Sequence, residues 1–288
     1  MLFFTLWCFF KIFRSSTPNS KLVTQVLGPD PNKTDSGVTW AFAKGGACFD
    51  APGNTLTAIK HCISRGFNSI QLDIGITADG ILVLCDETIQ THISKQTYEQ
   101  TKKINVSMNH PLSNKFPNER IPTLKDALDL LDKSKIGIRL LLNIGLGRHN
   151  TSSRVLEMLK HYEQIKNNSI LVLSSTYAIY KLRRMDPSII CILWLKSPAL
   201  VTGFAASLYY SVVREFIVPL LGIPAVIVHK NLLSVNEVSR WQKIGVRAFG
   251  FPVNSPNTKR YYQLVLNTSY LTESIKTEPP IKVQKIAQ

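Results

Sequence analysis

The sequence predicts an α/β protein whose parallel sheet closes into a (β/α)8 barrel, and three observations carry that expectation. Apolar runs of strand length recur near residues 40, 70, 138, 171, 191, 227, 248 and 270, eight in all. Segments with helical spacing lie between them, the alternation that builds a parallel sheet. The chain has 288 residues, and a barrel of this kind takes typically about 250. An open, doubly wound sheet would satisfy the same count, so periodicity alone leaves both architectures standing.

The first unit is the most sharply drawn. Trp40–Ala43 is an apolar run that breaks at Lys44-Gly45-Gly46. After a Pro-Gly loop, Asn54 or Thr55 is placed to cap a helix by accepting a backbone N–H. Leu56, Ile59 and Ile63 then recur at helical spacing and give that helix one buried face. Ser69–Ile74 is the next run and carries Asp73; Ile81–Leu84 follows and leads into Cys85-Asp86.

Residues 87–121 are polar and aperiodic and read as an exposed loop. Thr123–Leu131 resumes helical spacing, with Thr123 as cap and Asp126 in the first turn, where an acid suits the helix dipole. Strands are expected at Ile136–Ile144, Ser169–Ser174, Ile189–Leu195, Ala225–His229 and Val246–Phe251. Helices are expected at Ser152–Tyr162, Tyr177–Met185 and Val235–Ile244. Ser197–Val213 is uncharged, Arg214-Glu215 interrupts, and Phe216–Val228 is uncharged again. This segment, 197–228, suits either a helix lying in a membrane surface or a buried helix of the outer ring.

Composition narrows the partners. Apolar residues make up 44% and charged residues only 18%, yet the formal charge is +15. No dense basic run carries that charge; Lys181, Arg183 and Arg184 come nearest. Spread positive charge points to an anionic lipid surface, and the lack of a recognition motif argues against nucleic acid. Five cysteines (Cys8, Cys48, Cys62, Cys85, Cys191) show no metal-binding spacing, and Cys62 and Cys191 read as small core residues. Sequons at Asn32, Asn105, Asn150, Asn167 and Asn267 favour a luminal or extracellular domain. Residues 1–14 read as an apolar membrane-anchor remnant, since Met1–Phe10 falls short of the roughly 20 residues that span a bilayer. Residues 15–37 read as a linker, 38–274 as the globular domain and 275–288 as a disordered tail.

The first unit also resembles a known family. Ala43-Lys44-Gly45, Pro52-Gly53-Asn54-Thr55, Gln71-Leu72-Asp73 and Cys85-Asp86 follow the order and spacing of H-R-G, P-E-N-T, E-L-D and H-D in the glycerophosphodiester phosphodiesterases. Asn109-His110-Pro111 and Phe116 through Leu124 resemble the animal membrane-bound branch. Phe251-Pro252-Val253-Asn254 stands where that family has W-T-V-N, and Tyr270–Ser274 resembles its closing strand. The resemblance spans residues 38–274 and implies a TIM barrel of the phosphatidylinositol-phosphodiesterase-like type. In such barrels the site lies at the C-terminal ends of the strands, where Lys44, Asp73, Asn143, His229 and Asn254 fall.

The resemblance implies hydrolysis of a phosphodiester with a calcium or magnesium ion, two histidines and a phosphate-binding cation. The histidine positions hold Ala43 and Cys85, and the lysine position after the third-strand acid holds Gly145. The metal-carboxylate positions hold Gly53, Gln71, Asp73 and Asn143, so one carboxylate of four remains. A hard divalent ion needs several anionic oxygens, so Asp73 with Gln71 and Asn143 should bind it weakly. Lys44 keeps the positive charge of H-R-G and is the candidate phosphate-binding residue. The expectation is a membrane-associated, catalytically degraded family member that needs no cofactor and binds phosphate, a lipid headgroup or an unidentified protein. The alternative is an active phosphoric diester hydrolase of glycerophosphodiesters or lysophospholipids, with weak calcium or magnesium in a rewired site. For that reading His92, His149, His229, Asp50 and Asp86 are the possible substitutes; otherwise Asp86 holds its turn and Asp50 is solvated.

Overall fold

The computed structural model describes residues 14–16, 18–28, 39–134, 136–145, 151–196 and 203–276. Eight strands run parallel around a closed ring: β1 (Ala41–Lys44), β2 (Ser69–Ile76), β4 (Arg139–Ile144), β5 (Ser169–Leu173), β6 (Cys191–Trp194), β7 (Ala225–His229), β8 (Arg247–Phe251) and β9 (Tyr270–Thr272). Pairing of β1 with both β2 and β9 closes the ring, which decides between the barrel and the open sheet. The run at 81–84 gives β3 (Leu82–Leu84), which pairs antiparallel with β2 outside the ring.

Side chains alternate along each strand. Phe42, Leu141, Ile170, Val172, Ile192, Ile227, Phe249 and Leu271 point inward and fill the barrel, so it is a packed core and not a pore. Their neighbours Ala43, Leu72, Leu140, Leu142, Leu171, Leu193 and Val226 point outward, under the surrounding helices. Cys62 and Cys191 lie in this outer layer, as expected.

Two segments differ from the sequence reading, and a third takes the outer-ring position that was one of its two alternatives. Within the expected linker, Ser20–Leu27 forms a helix capped by Asn19, and Val23, Val26 and Leu27 plug the barrel from below. Arg139 at the start of β4 donates to the Gln25 carbonyl, and Arg247 at the start of β8 donates to that of Gly28, fixing the plug to the strand N-termini. The signal was present in the i, i+3, i+4 spacing of these three residues. The expected exposed loop at 87–121 contains helices at Glu87–Ile93 and Tyr98–Thr101, and Ile93 and Ile121 close a small core with Val83 and Cys85. The uncharged segment forms an outer-ring helix, Gly203–Val212, that continues through a π-helical turn (Val213–Ile217) into Val218–Leu221. Among the described residues no helix is long and apolar enough to cross a membrane. The apolar N-terminal segment, residues 197–202, His149, Asn32, Asn150 and nearly all of the expected tail lie outside the described residues.

Candidate active site

Alternation brings Lys44 from β1, Gln71 and Asp73 from β2 and Asn143 from β4 to the inner face at the strands' C-terminal ends. Register places Asp73 opposite Asn143, and Lys44 opposite Gln71. The Asp73 carboxylate is buried and fully engaged. Its Oδ1 accepts from Gln71 Nε2 at 2.8 Å and from Asn143 Nδ2 at 2.6 Å. Its Oδ2 accepts from Asn54 Nδ2 at 3.0 Å and lies 3.8 Å from Lys44 Nζ. Asn54 also accepts from the Asp73 backbone N–H at 2.9 Å, so its amide clamps this residue from both sides. Asn54 sits at φ 57°, a left-handed conformation that asparagine tolerates better than most residues.

Lys44 bridges two acids, with Asp86 Oδ2 at 3.5 Å on its other side. Burial works against its charge, but Asp73, Cys48 and Asp86 outweigh it and the ammonium is pushed up to about 12. Burial would likewise raise the Asp86 carboxyl; hydrogen bonds from Thr88 and the charge of Lys44 hold it below its ordinary value. Asp86 caps the helix that starts at Glu87 through the Thr88 N–H, as expected of it. Asp50 is not solvated: it is buried, and accepts from Ser274 Oγ at 2.8 Å and the Ile275 N–H at 2.7 Å. It ties the β1 turn to the chain beyond β9.

The structure also brings in residues that the sequence reading passed over. Glu87 Oε1 accepts from Asn143 Nδ2 at 3.0 Å, and its other oxygen pairs with Lys196 beyond β6. Asp86-Glu87 is a helix-start pair whose signal was lost when 87–121 was read as a loop. Glu273 accepts from Asn254 Nδ2 at 2.7 Å, and Phe251 packs edge-on against Trp194 with ring centroids 5.3 Å apart. His229 is exposed and accepts from the Asn231 N–H; His92 lies on the helix Glu87–Ile93 beside Gln96.

This donor set suits a divalent cation poorly. Both Asp73 oxygens already carry donors, and an ammonium stands where a second positive charge would have to enter. Gln71 and Asn143 turn their NH2 groups to the carboxylate, so their amide oxygens face away; both oxygens are buried without a hydrogen-bond partner. Among the described residues no group of three His, Cys, Asp or Glu side chains is arranged to hold a metal.

Comparison with known proteins places the barrel in a family. Residues 46–276 match the glycerophosphoryl diester phosphodiesterase family. The chain belongs to that family. It is 29% identical to human glycerophosphodiester phosphodiesterase 1 over 296 residues, which cover 94% of this chain and 87% of that protein. The mouse protein of the same name is 28% identical over 295 residues, with the same coverage. Among solved structures, a putative glycerophosphoryl diester phosphodiesterase from Silicibacter pomeroyi superposes with a TM-score of 0.66 at 16% identity, covering 88% of this chain and 94% of that one. An Oleispira antarctica phosphodiesterase in complex with the product sn-glycerol-3-phosphate gives a TM-score of 0.64 at 19% identity, covering 83% and 94%. At these identities the structural likeness establishes the fold.

Within this glycerophosphoryl diester phosphodiesterase barrel, the positions matched to the family signature have local explanations. Ala43 is fully buried in the layer between strands and helices. Cys85 is buried against Gly75; burial, with Asp73 and Asp86 nearby, pushes its thiol far above the ordinary value. A thiol held so firmly protonated is a poor proton shuttle at neutral pH. A Cβ at Gly53 would stand 2.6 Å from Cys48 Cβ, and one at Gly145 would stand 1.8 Å from Gln90 Oε1. Cys48 and Gln90 therefore occupy the space that larger residues at Gly53 and Gly145 would need.

Proposed function

We propose that this chain is a glycerophosphoryl diester phosphodiesterase barrel that has lost hydrolysis and keeps the mouth as a weak binding surface for a phosphate or a lipid headgroup. One observation carries the reading: the single carboxylate left at the metal positions is neutralised from within, by Lys44 and three amide groups. A buried carboxylate needs a compensating charge and hydrogen bonds, and here the protein supplies both. With no histidine at Ala43 or Cys85, the general acid and base that each contribute about 10²–10⁴-fold are also missing. Lys44 remains the candidate anion contact, but a phosphate must compete with Asp73 and Asp86 for it.

A second reading has its own support. Asp73, Asp86 and Glu87 lie at one end of the barrel, and the named relatives are phosphodiesterases. A rewired site would draw on these three acids with calcium or magnesium.

Two measurements on the purified chain separate the readings. Calorimetry with calcium and magnesium should give affinities no tighter than millimolar. Assays against glycerophosphodiesters and lysophospholipids in the presence of either ion should give no turnover above blank. Micromolar metal affinity, or turnover abolished by Asp73→Asn, would establish the second reading.

A further inference from the structure

A cleft of about 650 Å³ opens outside the ring of strands and shares no lining residue with the barrel mouth. Its walls are the first turns of the helices Leu56–Ser64 and Leu124–Ser134 and two arms of the insertion, 98–103 and 119–122. Four exposed cations line it: Lys60 from the first helix, and Lys102, Lys103 and Arg120 from the insertion. Two acids stand against them, Glu119 and Asp126.

A basic face is usually no more than a solvated one, but here hydrogen bonds hold the charges in a frame. Arg120 donates to the Lys103 carbonyl, and Asn105 and Arg120 form an antiparallel bridge, so the segments carrying Lys102, Lys103 and Arg120 lie side by side. Thr57 donates to Glu119 Oε1 at 2.8 Å and fixes the Lys60 helix to the same arm. Among the described residues Lys60 and Lys103 stand in no ion pair, and the pair of Lys102 with Glu99 at 2.6 Å is an exposed one of little strength. The remaining lining does more than meet charge. Leu56, Ile121 and Pro122 supply apolar surface and Tyr98 an aromatic ring. Burial and Asp126 push the Tyr98 hydroxyl up while Lys102 pulls it down, so both charges lie near that ring. Asp126 Oδ2 accepts from the Thr123 N–H and hydroxyl, as Glu119 Oε1 does from Thr57, so each acid is oriented and keeps a second oxygen to accept from a ligand. Apolar and aromatic surface, two fixed acceptors and several cations complement a flat ring, a sugar and adjoining phosphates. The volume suits a small molecule, whose sites run to about 300–1,000 Å³.

We infer that this cleft binds a nucleoside di- or triphosphate. The base lies against Tyr98 and the apolar surface, the sugar hydroxyls donate to Glu119 and Asp126, and the phosphates meet Lys60, Lys102, Lys103 and Arg120. No barrel-mouth residue takes part, so the inference does not depend on whether the barrel hydrolyses anything.

The test is calorimetry on the full-length chain with ADP at about 0.15 M salt, where exposed charges are largely screened. ADP should bind with a Kd of about 100 μM or tighter, and tripolyphosphate or adenosine alone at least tenfold more weakly. Hydrogen exchange of the wild type should slow at 98–103 and 119–122 when ADP is added. Lys60→Glu combined with Lys103→Glu should weaken ADP binding at least tenfold, with a melting temperature near that of the wild type because both side chains are exposed. Lys44→Met, at the barrel mouth, should bind ADP as the wild type does. An ADP affinity weaker than about 1 mM overturns the inference, and so does unchanged exchange in both arms. Tripolyphosphate binding as tightly as ADP overturns it too, because the cleft would then read charge alone. So does affinity kept in the double variant and lost in Lys44→Met, which would move the site to the mouth.

Discussion

Replacing Lys44 with methionine removes the internal cation and keeps most of the side chain's volume. The Lys44 side chain is 14% exposed, and its ammonium sits 3.8 Å from Asp73 and 3.5 Å from Asp86. Losing one partner of a buried pair costs roughly 3–5 kcal/mol when the other charge is left uncompensated. Here three amide donors stay on Asp73, so the cost should fall to about 2–3 kcal/mol. A second route gives a similar figure. The ammonium is raised from 10.5 to about 12, and a shift of that size corresponds to about 2 kcal/mol. Because the folded value lies above the unfolded one, this stabilisation is complete below pH 10.5 and fades as pH rises through 12. Lys44→Met should therefore melt about 4–10 °C below the wild type at neutral pH. The gap should narrow between pH 10.5 and 12, which thermal scans of the two proteins across that range would follow. Calcium should also matter to the variant alone: with a millimolar site opened beside Asp73, 10 mM ion would return about 1.4 kcal/mol. A variant that melts within about 1 °C of the wild type at every pH, with no response to calcium, would refute the internal-cation argument.

Three further outcomes follow from the same geometry. Gly53→Glu should cost about 1–3 kcal/mol through its clash with Cys48, and Cys48→Gly in the same chain should recover most of that loss in urea titrations. The buried, firmly protonated Cys85 thiol should resist maleimide at pH 8 in the native state and react only in denaturant, as read by mass spectrometry. Asp50→Ala should lower stability by about 2–3 kcal/mol, because it strips a buried acceptor from the Ser274 hydroxyl and the Ile275 N–H; a melting temperature unchanged from the wild type would show that tie to be inconsequential.

The barrel was legible because its strands are buried on both faces, so each appears as a short apolar run whatever its neighbours do. Leu140–Leu142 and Ala225–Val228 needed no periodicity to be found. The plug at Ser20–Leu27 was not legible in the same way. Eight residues between polar stretches look like linker until a partner surface is known, and only the barrel floor gives Val23 and Val26 something to bury against. Asp50 was misjudged for a related reason: its partners, Ser274 and Ile275, lie more than 220 residues away. The resemblance implies histidines at the positions of Ala43 and Cys85 and acids at those of Gly53, Gln71 and Asn143, and the residues that stand there could be read directly from the sequence. What could not be read was the amide orientation at Gln71 and Asn143, which is set by Asp73 and not by either residue's own neighbours. Glu87 escaped because its role depends on a helix that the polar composition of 87–121 concealed.

The positions matched to the family signature are coupled in pairs, and that bears on how far the signature's residues could be introduced here. Gln71 and Asn143 donate to Asp73 through groups a carboxylate lacks. Acids placed there would set three negative charges around one buried point, with Lys44 the one ammonium in contact with Asp73 among the described residues. Such a cluster is tolerable only when a metal binds, so each acid restored alone should lower stability before it improves any affinity. A larger residue at Gly53 meets the Cys48 Cβ and needs a second change, whereas one at Gly145 meets only the end of the Gln90 side chain, which must swing aside. A histidine at Ala43 or Cys85 would enter a fully packed environment and find no metal-bound phosphate to act upon. The present residues thus fit one another as a charge-balanced, close-packed set. Single substitutions toward the family signature break that set without building the signature's own.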